Sequence, residues 1–291
     1  VRIGPLGVLA APSLVAVTGK RHGLGNRVRV VLGSRSLARA EGRRFFYTWS
    51  TGQDFGARLD DLWQMDALAI PRATARLLSL RYPYHDEKLD WLDDAARRER
   101  VLQIRTPHAL HLPSTAIPWE KDLQELTPVP EVAAQVSEFF RARLAGRPYV
   151  GVMVRAHPRS HDLTLRESPI DWYLSRMLEI RERNPELPFF VSADTVAAEQ
   201  RLIAEVPGSF SLDDKGPYNS TKALRSSVSD LYLLASSSYL LGPYFSSFPE
   251  LAQKLAGPSL TLETSHTERL QHLGELSVVD DPTRPHLRKL A

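Results

Sequence analysis

The sequence predicts an α/β protein in which two parallel-sheet domains follow one another along 291 residues. Three observations carry this reading. The stretch from Leu14 to Trp49 runs strand, loop, helix, strand at the spacing of a βαβ unit. From Tyr149 onward, apolar β-rich runs alternate with helical patterns, as parallel strands joined by crossover helices require. The length favours two domains over one.

The opening "VRIGPLGVLAAPSLVAV" has the apolar content of a signal peptide but only one early cation, and Pro5 and Pro12 would break its central helix. We read it as leading into a first buried strand, Leu14 to Val17. Gly19, Gly23 and Gly25 punctuate the following loop, and Asn26 to Glu41 carries Val28, Val31, Leu32 and Leu37 at helical spacing. Gly42 sits where a helix-terminating glycine belongs, and "RRFFYTW" has the aromatic content of a strand. Between Gln53 and Ile117 the pattern gives helical pieces at Leu59–Leu62 and Thr74–Leu80, and a charged run, "DEKLDWLDDAARRER", that reads as a solvated helical face. Pro107, Pro113, Pro118, Pro128 and Pro130 mark a connector that ends in a helix from Pro130 to Leu144.

The second series follows. Strands are expected at Tyr149–Val154, Phe189–Ser192, Tyr239–Gly242 and Leu260–Leu262, and helices at Pro169–Arg183, Thr195–Glu205, Val228–Ser236 and Phe248–Leu255. The boundary falls near Arg147, giving domains over 1–146 and 147–291. There is no internal repeat.

Composition narrows the function classes. Hydrophobic residues at 43% and charged residues at 24% describe a globular protein. With no Cys, the chain has no disulfide framework, thiolate zinc site or cysteine nucleophile, which fits a reducing, cytoplasmic setting. Net charge is only +3 and the arginines are dispersed, so a Lys/Arg stripe with interleaved aromatics is missing and no nucleic-acid partner is expected. No stretch approaches the run of about 20 apolar residues that spans a bilayer.

Four segments carry candidate chemistry. "GKRHGLGNR" places His22, Gly23, Gly25, Asn26 and Arg27 at a strand-to-helix turn, where backbone N–H groups favour an anion, although it is neither a Walker A loop nor a full G-x-G-x-x-G. "VMVRAHPRSHD" sets Arg155 directly after an apolar run, where a guanidinium can grip a phosphate or pair with a carboxylate such as Asp194. "FFVSADT" brings Asp194 to the end of the next strand, as an anion-edge residue or a helix cap. "SVSDLYLLASSSYLLGPYFSSFPELAQKL" holds Asp230 in an apolar helix and Ser246 and Ser247 at a strand-to-helix turn. His157 and His161 do not make a metal site without a third ligand, and no G-x-S-x-G elbow supports a serine nucleophile.

In order and spacing, "GLGNRVRVVLGSRSLARAEGRR", "VGVMVRAHPRSHDLTLRESPIDWYL", "FFVSADTVAAEQRLIAEVPG" and "LRSSVSDLYLLASSSYLLGPYFSSFPELAQKLAG" resemble the fucosyltransferase superfamily of nodulation and core α1,6-fucosyltransferases, with protein O-fucosyltransferases more distant. The resemblance implies a GT-B-like fold, two Rossmann-type domains with a cleft between them. Residues 1–146 would form the acceptor side with the glycine loop, and 147–291 the nucleotide-sugar-binding domain. It implies that Arg155 contacts the donor pyrophosphate, that Gly23 and Gly25 approach the phosphates, that Asp194 matches the acidic strand-end position, that Asp230 recognises the guanine region, and that Ser246 and Ser247 lie near the phosphates. Met153, Ala156 and Phe248 depart from the superfamily pattern.

The function implied is a metal-independent glycosyltransferase. It would transfer a sugar from a nucleotide donor, GDP-fucose first, to a hydroxyl of a glycan or small-molecule acceptor, with no cofactor besides the donor. Arg155 would stabilise the departing diphosphate, and Asp162 or Glu167 would help deprotonate the acceptor. One rival is a non-catalytic nucleotide- or glycan-binding protein on the same scaffold, and a second is a different α/β transferase, for sulfate or phosphate groups, whose phosphate-cradling signature the sequence lacks.

Overall fold

The chain divides into two units, the first comprising Val1–Thr127 with Pro217–Leu224 and the second Pro128–Gly216 with Arg225–Ala291. They are seen in a computed structural model that describes residues 3–20, 22–85 and 97–291. Most of the charged run expected as a solvated helix, residues 86–96, lies outside the described residues.

In the first unit, helix α1 (Pro5–Leu9) precedes strand β1 (Ser13–Val17), helix α2 (Leu24–Ala40) and strand β2 (Arg44–Thr48). Then come β3 (Leu68–Ala69), α3 (Arg72–Leu78), β4 (Tyr84–His85), β5 (Val101–Ile104) and α4 (Trp119–Glu125). The sheet order is β3-β2-β1-β5-β4, parallel throughout. Pro5 begins α1 rather than breaking a longer helix, because its missing N–H is one the first turn leaves unpaired anyway. All five residues of β1 are buried, as a central parallel strand covered on both faces requires.

The second unit runs α5 (Pro130–Arg143), β6 (Val150–Val154), α6 (Asp162–Glu167), α7 (Ile170–Arg183), β7 (Phe189–Ala193), α8 (Val196–Glu205), β8 (Ser209–Phe210), α9 (Thr221–Ala235, its first turn counted with the first unit), β9 (Tyr239–Leu241), α10 (Ser247–Ala256) and β10 (Thr261–Glu263). An antiparallel pair, β11 (Ser277–Val279) and β12 (Arg288–Leu290), closes it. The order β8-β7-β6-β9-β10 is again parallel. Helix α7 lays Tyr173, Met177 and Ile180 on one stripe, and these join Val150, Val152, Phe189 and Val191 in a single core. Each large side chain so buried contributes roughly 1.5–3 kcal/mol of transfer free energy.

The α/β expectation and its parallel sheets are therefore met. Several details differ. Asp162–Glu167 is a helix that the sequence pattern did not predict, and His161 caps it by accepting from the Leu163 N–H at 3.2 Å. Helix α9 begins at Thr221 rather than Val228, and Leu59–Asp61 is a single 3₁₀ turn. Strands β3, β4, β5, β11 and β12 had no periodic signal, being two to four residues long.

Candidate functional site

The order β8-β7-β6-β9-β10 means that the chain leaves β6 toward one side of the sheet and returns to β9 on the other. The carboxyl ends of β6 and β9 thus flank a topological switch point, the place where open α/β sheets receive ligands. Arg155 is the residue after β6, and the turn Gly242–Ser246 follows β9.

Arg155 is one-third exposed, with Nη1 3.4 Å from Asp194 Oδ2. That contact is long, so the guanidinium is anchored on one edge and keeps donors for a ligand. Its carbon lies 6.0 Å from the Phe248 ring, in the first turn of α10. Asp194 has more to hold than Arg155. Its Oδ1 accepts from the N–H groups of Ala156 at 2.7 Å and His157 at 3.0 Å, and Oδ2 accepts from the Ser160 hydroxyl at 3.1 Å. One carboxylate from β7's end therefore shapes the whole turn after β6. The cap of α8 is Thr195, which accepts from Ala198 N–H.

Ser246 is the N-cap of α10 without making a side-chain cap bond, and Ser247 begins the helix. The first-turn N–H groups have no helical acceptor, so this end carries partial positive charge beside Arg155. The turn before it is held open. Phe245 has φ of 57° and is exposed, a conformation unfavourable for a bulky residue. The Thr164 hydroxyl donates to its carbonyl at 3.0 Å, and the Tyr244 N–H donates to Ser168 Oγ at 2.9 Å. A Cβ on Gly242 would lie 2.6 Å from Pro249 Cβ, so only glycine lets the turn pass this close to α10.

Asp162 is exposed at the start of α6 and Glu167 ends it. Glu167 Oε1 accepts from Arg166 Nε at 2.8 Å and Oε2 lies 3.0 Å from His266 Nε2. These bonds, Arg166's first, hold the Glu167 carboxyl below its usual range. The sequence reading passed over His266, Tyr244 and Ser265. The signal was there in "TLETSHTE", a histidine just past the last strand of the sheet on the same edge.

Asp230 stands apart from this edge group, buried on α9. Its Oδ2 accepts from the Ser192 hydroxyl at 2.7 Å and lies 3.3 Å from Lys215 Nζ, which also meets Glu199 at 2.6 Å. Oδ1 is buried without a hydrogen bond. Burial raises the carboxyl's pKa, with Lys215 and Ser192 pulling against it.

In the first unit, Gly23 is the exposed N-cap of α2, with nothing within 4 Å of where a Cβ would stand. Gly25 is buried in the first turn, and Asn26 Oδ1 is buried without a hydrogen bond. His22 folds over Gly19, its Nδ1 accepting from the Gly19 N–H at 3.1 Å. Arg27 is fully buried. Its guanidinium donates to the carbonyls of His22 and Ser50 at 2.6 Å, Lys20 at 3.1 Å and Gly19 at 3.2 Å, and lies 4.0 Å over Phe55. Burial lowers its pKa to about 10. Arg27 thus braces the glycine turn from beneath.

Among the described residues, no three His, Asp or Glu side chains gather where they could hold a metal ion, and no helix is long and apolar enough to cross a membrane.

Two parallel α/β sheets fit a GT-B-like architecture, and the solved structures that share this fold include fucosyltransferases. NodZ fucosyltransferase from Bradyrhizobium aligns with a TM-score of 0.57 at 14% identity, over 83% of this chain and 91% of its own. FUT1 from Arabidopsis thaliana, solved as a variant with GDP, gives 0.57 at 14% identity over 89% and 71%. POFUT1 with GDP gives 0.55 at 13% identity over 88% and 99%. No protein-family profile and no curated protein matches the sequence.

Proposed function

We propose that this chain is a metal-independent glycosyltransferase that moves a sugar from a nucleotide donor, GDP-fucose first, to a hydroxyl of a glycan or small molecule. The observation that carries the reading is Arg155 at the carboxyl end of β6, at the switch point, with the uncapped amino end of α10 beside it. A diphosphate placed there meets a guanidinium and free backbone N–H groups together. As the bond from the anomeric carbon to the diphosphate breaks, negative charge grows on the leaving oxygen, and these fixed donors stabilise it without reorganising. Asp194 acts through Arg155 and through the turn it shapes. The solved neighbours with GDP, and NodZ soaked with GDP-fucose, support guanine as the base. On that footing Asp230, with one oxygen left without a hydrogen bond, is assigned to the guanine region.

Calorimetric titration with GDP, UDP and ADP tests the proposal. Binding of GDP in preference to ADP is expected. No binding of any of the three at millimolar concentration overturns it.

A further inference from the structure

On the carboxyl edge of the second sheet, two strands along from Arg155, sits a pair of side chains joined across 99 residues of sequence. His266 lies three residues past the end of β10, and its Nε2 is 3.0 Å from Glu167 Oε2. The ring is stacked on Tyr244 at 3.8 Å between centroids and 14° between planes, so both its position and its orientation are fixed. Tyr244 belongs to the same turn that presents Ser246 and α10, and that turn is tied to α6 through Thr164 and to Ser265 through Ser168. Charged groups face the pair from α6 as Glu167 and Arg166, and from the β9 turn Tyr244 covers the ring.

The chemistry of the pair is directional. A carboxylate accepts, so Nε2 carries the proton and Nδ1 is left with the lone pair. Nδ1 has no hydrogen-bond partner among the described residues, and the His266 side chain is 45% exposed. Successive strands are about 4.8 Å apart, which puts the end of β10 about 10 Å from the end of β6. A diphosphate at Arg155 and a base at His266 would thus stand on the same sheet edge, on either side of the turn that follows β9.

We propose that His266 is the base that takes the acceptor's proton, with Glu167 as the residue that positions it, a proposal that rests on the glycosyltransferase reading above. In the step, Nδ1 removes the hydroxyl proton as the acceptor oxygen bonds to the anomeric carbon. The bond from that carbon to the diphosphate oxygen breaks, and its electron pair leaves on the diphosphate. Because Arg166 and His266 keep Glu167 ionised below its ordinary range, the carboxylate does not titrate where an imidazole does.

The experiment measures GDP release from GDP-fucose with water as acceptor, as a function of pH, alongside calorimetric binding of GDP. In the native chain turnover is expected to rise with pH along one limb as the base gives up its proton. His266→Gln is expected to lower kcat about 100-fold and flatten that limb, with the KM for GDP-fucose and GDP affinity retained. Glu167→Gln is expected to lower kcat with the KM for GDP-fucose retained, because the ring loses the partner that orients it, and His266→Gly to recover turnover in added imidazole. His266→Gln with native turnover and pH profile overturns the base and leaves the functional reading standing. Loss of GDP affinity in His266→Gln overturns it as well, since it would make the residue structural. A native chain that binds GDP without turning over GDP-fucose overturns the base in favour of a binding protein. One that binds no nucleotide overturns both readings.

Discussion

At the scale of single residues, Arg155 and Asp194 are coupled but unequal. Arg155→Ala is expected to cut turnover by about 100- to 1,000-fold, the usual loss for a donor aimed at developing charge, while the melting temperature stays within a few degrees. Asp194→Asn should do the reverse in proportion. Removing the charge that holds two backbone N–H groups and a hydroxyl costs on the order of 2 kcal/mol of stability, read as a lower melting temperature, with turnover falling because Arg155 loses its anchor. An unfolded Arg155→Ala would mean that the ion pair, not the ligand, is what the arginine serves. Arg155 was legible in the sequence because a cation directly after an apolar run has to emerge at a strand end. His266 was not, because its meaning depends on Glu167, which no spacing rule connects to it. Arg27 looked like a ligand residue for the same reason that Arg155 did, a cation near glycines. Its role under the turn is visible only from the four carbonyls it meets.

At the scale of elements, the turn Gly242–Ser246 fixes where the amino end of α10 points. Gly242→Ala would place a methyl group 2.6 Å from Pro249 and 3.0 Å from Leu262, so α10 has to shift. The expected result is a lower melting temperature and at least about tenfold weaker GDP binding, measured by calorimetry. Unchanged affinity would show that the helix end does not touch the nucleotide. The longer elements were legible, β1, β6 and β7 as five-residue apolar runs and α2, α7 and α8 from apolar residues at helical spacing. Helix α9 was expected only from Val228, since serines before it favour caps and turns over a helix interior. The structure buries Ser226 and Ser229 on the helix, with the Ser229 hydroxyl donating to Gln135 Oε1 at 2.6 Å. Short strands such as β5 escape notice because four buried residues carry no period.

At the scale of the whole molecule, the proposed chemistry relies on fixed cations and backbone dipoles where another enzyme would recruit a divalent ion through carboxylates. Turnover is therefore expected to survive excess EDTA and to gain little from magnesium or manganese. Abolition by EDTA with recovery on adding one of these ions would move the phosphate site to Asp194 or Asp230. The division of the chain also has a consequence in time. The first unit is completed by Pro217–Leu224, whose Asn219 carbonyl takes the Gly56 N–H at 2.8 Å and whose Thr221 hydroxyl donates to the Gly56 carbonyl at 3.1 Å. During synthesis, residues up to Thr127 leave the ribosome roughly ninety residues ahead of that segment, a delay of about 5–20 s. Throughout it the five strands of the first sheet are already made, while Gly56 still waits for its Asn219 and Thr221 partners, so the last contacts of the first unit are made only after the second sheet has begun.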